Sequence, residues 1–205
     1  MSDRRITVIS AGLGQPSSTR MLADRLAAAT VSELAERGLT ATVETFELRD
    51  VAHEIINHML TGFPSGDLRR VLESVGSADG LIAVTPLFTT TYSGLFKSFV
   101  DILDKDSLTR MPVLLGATGG TPRHSLALEY SMRPLFTYLR ADVANTSVFA
   151  ATDDWSGELD NQDPLPSRIT RGARELAELV AARPNTGPAD PYADAPSFTD
   201  LLGSL

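Results

Sequence analysis

Residues 80–97 read GLIAVTPLFTTTYSGLFK and combine a strand, a loop and the start of a helix. The run at 80–85 is almost entirely apolar, which is typical of a central parallel strand that is buried on both faces. The loop that follows is polar and aromatic, and residues 93–103 have a helical pattern. A buried strand that leads into a helix through a short loop indicates an α/β fold with a parallel sheet.

The same alternation extends from this stretch toward both ends of the chain. The other predicted strands lie at 6–10, 41–48, 112–117 and 143–150. The other predicted helices lie at 19–37, 67–77, 125–140 and 167–182. Residues 49–64 fit a short helix or an ordered loop equally well, and residues 152–166 form an acidic loop. The pattern predicts a five-stranded parallel sheet with helices on both faces. For a sheet of this kind we expect the doubly wound strand order 2-1-3-4-5.

Length and composition indicate one folded domain followed by a tail. The chain has 205 residues, and we expect residues 1–183 to form the domain. Beyond Arg183 four prolines fall within 13 residues, and the chain then becomes apolar. We therefore expect residues 184–205 to be extended or flexible.

Charge and composition exclude several classes of function. The net charge is −8, distributed as −2 over residues 1–64, +1 over 65–140 and −7 over 141–205. Without a run of Lys and Arg, neither nucleic acid nor an anionic membrane is an expected partner. The chain has no cysteine and only three scattered histidines, so we predict no thiol catalysis and no metal site. It has no signal or membrane-spanning pattern, and we expect a cytoplasmic protein.

Three loops follow strands that are neighbours in the predicted sheet. Residues 10–19 (SAGLGQPSST) supply hydroxyls at a helix start, which suits a phosphate monoester. Residues 85–94 (TPLFTTTYSG) suit the edge of a planar heterocycle, and the glycine pair in 116–122 (GATGGTP) allows close approach to the backbone. The alternatives are helix capping, a surface turn and a tight turn, respectively. Ligands bind at the carboxyl ends of such strands, so the loops are predicted to share one crevice.

These residues resemble the NAD(P)H-dependent FMN reductases with a flavodoxin-like fold. The resemblance is strongest to the reductase component of two-component alkanesulfonate monooxygenase systems. It covers about residues 7–150, and its most specific parts are TPLF at 85–88, YSGLFK at 92–97, ATGGT at 117–121 and EYSMRP at 129–134. It implies a three-layer α/β fold, with FMN and NADPH or NADH as cofactors.

The resemblance also implies a set of binding residues. The residues implied to hold the FMN phosphate are Ser10, Ser17, Ser18 and Thr19. The residues implied to line the isoalloxazine are Pro86, Leu87, Phe88, Ser93 and Gly94, together with Thr118, Gly119 and Gly120 on the adjacent loop. No side chain is predicted to be catalytic, because the cofactors supply the electronics of hydride transfer.

Pro134 gives the predicted helix at 125–140 an unusual feature. Proline cannot donate to the carbonyl of Tyr130, so the helix is expected to bend or bulge. In the resembling reductases the tyrosine at this position lies on a π-bulged helix at a tetramer interface. The resemblance therefore implies a homodimer or homotetramer.

Three functions fit the sequence. The first is an FMN reductase that transfers hydride from NADPH or NADH to FMN and supplies reduced FMN to a partner monooxygenase. The second is a reductase of quinones, azo dyes or metal ions that keeps FMN bound. The third is a flavodoxin-like electron carrier without nicotinamide activity, which the motif at 85–97 disfavours. The 16 arginines do not single out a contact for a 2′-phosphate, so the sequence leaves the choice between NADH and NADPH open.

Overall fold

The computed structural model describes residues 3–155 and 163–184, in which strands and helices alternate. The strands are β1 (Asp3–Ser10), β2 (Thr40–Glu47), β3 (Gly80–Phe88), β4 (Thr91–Tyr92), β5 (Pro112–Gly119), β6 (Asp142–Val143) and β7 (Val148–Ala151). The α-helices are α1 (Ser18–Glu36), α2 (Ala52–Thr61), α3 (Leu68–Gly76), α4 (Gly94–Asp101), α5 (Arg133–Tyr138) and α6 (Leu165–Ala182). The segment at 49–64, which the sequence left open, contains α2 and the end of a 3-10 turn at Leu48–Val51.

The parallel sheet has the predicted order. β1 lies between β2 and β3, and β5 lies between β3 and the last strands, β6 and β7. The order 2-1-3-4-5 is therefore confirmed, although the sheet contains seven strands rather than five. One additional strand is β4, which pairs antiparallel with the end of β3 in a short hairpin.

The other additional strand arises because the predicted strand at 143–150 is divided into β6 and β7, both paired with β5. In the break between β6 and β7, the side chains of Arg133 and Glu175 form hydrogen bonds with the backbone. The Arg133 guanidinium donates to the carbonyls of Ala144 and Asn145, each at 2.9 Å, and the Glu175 carboxylate accepts from the Thr146 amide at 2.6 Å. These bonds satisfy backbone groups that a continuous strand would pair with β5.

The predicted helix at 125–140 consists of two different helical pieces, and a third piece lies just before it. A 3-10 turn at Pro122–His124 precedes a π-helix at Leu128–Met132, and α5 follows from Arg133. The expected bulge is thus confirmed. Pro134 has no N–H for the Tyr130 carbonyl, and the wider π-helical turn lies directly before it.

Two apolar cores cover the two faces of the sheet. Buried side chains of α2 to α5 and of the π-helix pack on one face, and those of α1 and α6 pack on the other. Residues 80–86 of β3 are buried throughout, as the uninterrupted apolar run predicted. No helix within residues 3–155 and 163–184 is both long enough and apolar enough to cross a membrane.

Two predictions concern segments that lie partly or wholly outside residues 3–155 and 163–184. The predicted acidic loop at 152–166 begins as a 3-10 turn at Thr152–Trp155, and α6 has begun by Leu165, two residues earlier than predicted. Its middle, residues 156–162, lies outside the described residues. The same holds for the predicted tail from residue 185 onward.

Candidate functional site

The carboxyl ends of three adjacent strands form the candidate site. β1 ends at Ser10, β3 at Phe88 and β5 at Gly119, and these strands are neighbours in the sheet. Each end leads into one of the loops that the sequence singled out. The structure therefore brings the three loops to one edge of the sheet.

The first loop ends at a capped helix. The Ser17 hydroxyl accepts from the Arg20 amide at 3.1 Å, which makes Ser17 the N-cap of α1. Ser18 is exposed in the first turn, where backbone N–H groups lack intrahelical partners and can bind an anion. Gly12 is required here, because a Cβ at that position would lie 2.1 Å from the Ser17 hydroxyl oxygen. Capping and anion binding are thus both available to this loop.

A buried hydrogen bond joins the first loop to the third. The hydroxyls of Thr19 and Thr118 lie 2.8 Å apart, and both residues are buried. Thr118 is in turn paired with Pro86 in the register of β3 and β5. One residue of each predicted loop thus belongs to a single connected group.

Ser10 provides a polar atom without a protein partner. Its hydroxyl is fully buried at the end of β1 and has no hydrogen bond within the described residues. A buried hydroxyl without a partner costs free energy, which a ligand oxygen or an ordered water at the loop would recover. Together with the hydroxyls at the start of α1, this atom suits an anionic group such as a phosphate.

The second loop is a hairpin that leads into α4. Leu87 pairs with Tyr92 and Phe88 pairs with Thr91, and Phe88 remains half-exposed. The Thr85 hydroxyl, buried below the hairpin, accepts from the Ser93 amide at 3.1 Å.

Ser93 connects this hairpin to α4. Its hydroxyl accepts from the Phe96 amide at 3.2 Å and caps α4, whose first residue is Gly94. The loop is therefore fixed at its base, while Phe88 and the two threonines at its tip, Thr89 and Thr90, are exposed.

The third loop approaches other parts of the chain closely at its first glycine. A Cβ on Gly119 would lie 2.9 Å from the Phe149 ring and 4.0 Å from Leu87 Cβ, so a larger residue would force the ring to shift. A Cβ on Gly120 would meet nothing within 4 Å, which leaves that side of the loop open. The two glycines therefore differ: one permits internal packing and the other borders accessible space.

Two cations near the site, Lys97 and Arg20, are paired with carboxylates. Lys97 contacts Asp101 at 2.6 Å, and the Arg20 guanidinium contacts Asp24 at 2.8 Å and Glu47 at 3.0 Å. The hydrogen bond that Arg20 donates to Asp24, together with the charges of Asp24 and Glu47, raises the pKa of Arg20. These cations are therefore engaged by carboxylates and are not aimed singly at a ligand.

Glu47 and Arg49 also lie beside the first loop and were not among the predicted residues. Both follow from the position of β2, which lies beside β1, so that its carboxyl end borders the first loop. The Arg49 guanidinium donates to the Gly14 carbonyl at 2.6 Å and contacts Glu47 at 2.7 Å. The strand order 2-1-3-4-5 was the available signal, because it places the residues after β2 next to this loop.

A separate cavity lies on the other side of the third loop. It has a volume of about 420 Å³ and extends between the π-helix, the end of β7 and the start of α6. Arg168 lines it, but this guanidinium is paired with Asp154 and with the Phe149 carbonyl. In residues 3–155 and 163–184, no group of three His, Asp or Glu side chains has the arrangement of a metal site.

The sheet order defines a flavodoxin-like α/β protein, and the candidate site lies at the carboxyl ends of its strands. The chain belongs to the NADPH-dependent FMN reductase family, whose family model matches residues 4–156.

Individual relatives agree with this membership. The chain is 32% identical over 181 residues to the FMN reductase (NADPH) of Pseudomonas aeruginosa, covering 87% of this chain and 94% of that protein. It is 31% identical over 177 residues to the NADH-dependent FMN reductase SfnF of Pseudomonas fluorescens, covering 85% and 91%, respectively. A solved structure of an oxidoreductase from Corynebacterium diphtheriae is 41% identical with a TM-score of 0.84, covering 90% of this chain and 100% of that one.

Proposed function

We propose that this protein is an NAD(P)H:FMN oxidoreductase that binds FMN reversibly, and that its reduced FMN passes to a separate flavin-dependent monooxygenase. The observation that carries the proposal is the connection of the three loops at the carboxyl edge of the sheet. The Thr19 and Thr118 hydroxyls, 2.8 Å apart, join the first loop to the third, and Thr118 pairs with Pro86 of the second. Family membership supports the reaction.

The first loop is proposed to bind the flavin phosphate. Ser17 and Ser18 stand at the start of α1, where N–H groups and hydroxyls favour an anion. The Ser10 hydroxyl, buried and without a partner, is a further donor. Thr19 fixes the loop against Thr118 and so keeps these donors in place.

The second and third loops are proposed to hold the isoalloxazine ring. The residues in this role are Pro86, Leu87, Phe88, Ser93 and Gly94 on one side, and Thr118, Gly119 and Gly120 on the other. When bound, the flavin supplies the hydride-accepting chemistry. The chain positions it, with the half-exposed Phe88 leaving one face accessible to a nicotinamide.

The names of the relatives do not decide between NADPH and NADH as the reductant. The Pseudomonas aeruginosa protein is called an NADPH enzyme, and the Pseudomonas fluorescens protein is called an NADH enzyme. We propose that either can serve as the hydride donor, in a homodimer or homotetramer that uses the exposed π-helix as a contact surface.

Anaerobic kinetics on the purified protein test the function. We expect it to be purified largely without flavin, to reduce added FMN with NADPH or NADH, and to bind FMN more tightly than riboflavin, which lacks the phosphate. The measurements are flavin absorbance during turnover and fluorescence titration with each flavin. Failure to reduce added FMN with either nucleotide would overturn the proposal. A protein that retains FMN through gel filtration and reduces quinones would identify the alternative with a permanently bound flavin.

A further inference from the structure

Glu47 links two arginines that flank the first loop. Its carboxylate contacts the Arg20 guanidinium at 3.0 Å and the Arg49 guanidinium at 2.7 Å. Glu47 and Arg49 are largely buried, with side-chain exposures of 13% and 19%. The three side chains come from α1, the end of β2 and the 3-10 turn after it. We call Arg20, Glu47 and Arg49 the arginine clamp.

The arginine clamp is attached to the loop at two points. Arg49 donates to the carbonyl of Gly14, in the middle of the loop, at 2.6 Å. At the other end, the backbone N–H of Arg20 donates to the Ser17 hydroxyl at 3.1 Å, and the Arg20 guanidinium donates to the Glu47 carboxylate. The middle of the loop and its helical end are therefore both connected to the same carboxylate.

The arginine clamp also contributes little net positive charge. Arg20 contacts Asp24 as well as Glu47, and Arg49 contacts Asp50 at 3.6 Å, so that three carboxylates surround two guanidiniums. Residues 10–19 contain no Lys or Arg, and neither do residues 156–162 or 185–205. Within residues 10–19, the donors available to an anion are therefore hydroxyls and backbone N–H groups.

We propose that Arg20, Glu47 and Arg49 act as positioning residues that hold the phosphate loop in shape while Glu47 withholds their charge from the FMN phosphate. This inference rests on the proposed function. The phosphate is then recognised by neutral donors, which gives selectivity for FMN over riboflavin without the tight binding that an unpaired arginine provides. Moderate affinity suits a flavin that must leave after reduction.

Two substitutions have opposite expected effects. Glu47→Gln keeps an acceptor oxygen but removes the negative charge, so the guanidiniums attract the phosphate more strongly. We expect FMN to bind roughly threefold or more tightly at low salt, with a steeper salt dependence. Arg49→Gln releases the Gly14 carbonyl and loosens the loop, so FMN affinity should fall about tenfold, and Arg49→Lys should restore part of it. Riboflavin affinity should change much less in each case.

A second ion pair formed by a glutamate of β2 provides the control. Glu44 of β2 contacts Arg70 at 2.8 Å, away from the loop, so Glu44→Gln removes the same charge and a more exposed ion pair from the same strand. This variant should bind both flavins as the wild type does. Thermal unfolding of each variant shows whether it is folded before its affinities are compared.

The decisive readout is the ratio of FMN to riboflavin dissociation constants, measured by fluorescence titration at low and high salt. In the wild type this ratio should change by less than about threefold with salt, a measurement that requires no substitution. A steep salt dependence in the wild type, weaker FMN binding by Glu47→Gln, or equal changes for both flavins would overturn the inference. If the wild type does not bind FMN, the proposed function itself fails.

Discussion

At the residue scale, the tip of the β3–β4 hairpin has an unfavourable backbone. Thr89 and Thr90 are the two central residues of the turn, and their φ angles are +50° and +74°. Positive φ at both central positions is the pattern of a type I′ turn, which normally contains Asn and Gly. A β-branched side chain in this region clashes with its own backbone, so the strain lies next to the proposed flavin edge.

Replacing Thr90 by glycine should relieve this strain. We expect Thr90→Gly to raise the free energy of unfolding by about 1 kcal/mol, since the left-handed penalty exceeds the entropy lost by glycine. Urea unfolding monitored by circular dichroism measures the change. Thr91→Gly is the control, because Thr91 is a strand residue paired with Phe88 and glycine should weaken it. A Thr90→Gly variant less stable than the wild type would contradict the argument.

At the scale of elements, the π-helix and the break between β6 and β7 are connected by one ion pair. Glu129 on the π-helix accepts from Arg133 at 3.0 Å and from the Ser147 hydroxyl at 3.0 Å. Arg133 in turn binds the Ala144 and Asn145 carbonyls in the break. The hydrogen bond from Arg133, and then that from Ser147, lowers the pKa of Glu129 below its ordinary value of 4.5.

This lowered pKa predicts a dependence of stability on pH. A carboxyl whose pKa is lower in the folded state stabilises the fold above its unfolded pKa, and that contribution is lost as pH falls through the folded value. Glu129→Gln should therefore be less stable than the wild type near neutral pH, and the difference should shrink below about pH 4. Urea unfolding at a series of pH values measures it.

Glu36→Gln, at an exposed position at the end of α1, controls for the loss of one negative charge. The contrary outcome is a difference in free energy of unfolding between wild type and Glu129→Gln that does not change across the acid range. That result would show that ionisation of Glu129 does not stabilise the fold.

At the scale of the whole molecule, exposed apolar side chains are unevenly distributed. On the helices of one face, α2, the π-helix and α5, several large apolar residues are exposed, whereas on the opposite face Met21 of α1 is the one such residue within the described part of the chain. Tyr130 of the π-helix and Tyr138 of α5 are 78% and 85% exposed. An exposed aromatic surface of this kind is characteristic of protein contacts.

Truncating Tyr130 tests whether this surface joins subunits. We expect the wild type to form dimers or tetramers and Tyr130→Ala to form smaller assemblies with unchanged secondary structure, because the ring would be buried between copies. Light scattering coupled to gel filtration measures the mass. Met21→Ala, on the opposite face, should leave the assembly intact. An unchanged mass for Tyr130→Ala would exclude this residue from the interface.

Much of the fold could be predicted because its signals are local. The apolar run at 80–85 identified the central strand, and Pro134 alone required a bulge in its helix. The three loops could also be predicted, since parallel strands place their following loops at one edge. The division of the strand at 143–150 could not, because it depends on Arg133 and Glu175 reaching the backbone from other helices.

The layer architecture and the loops proposed to hold the flavin were predictable from the sequence, because hydrophobic period and turn residues are properties of short segments. Which charges are engaged could be seen only in the folded chain. Arg20 belongs to α1 and Glu47 to β2, and their contact at 3.0 Å exists because β1 and β2 are adjacent. Such pairings depend on distances between elements that lie far apart in the chain, and these distances exist only after the sheet has formed.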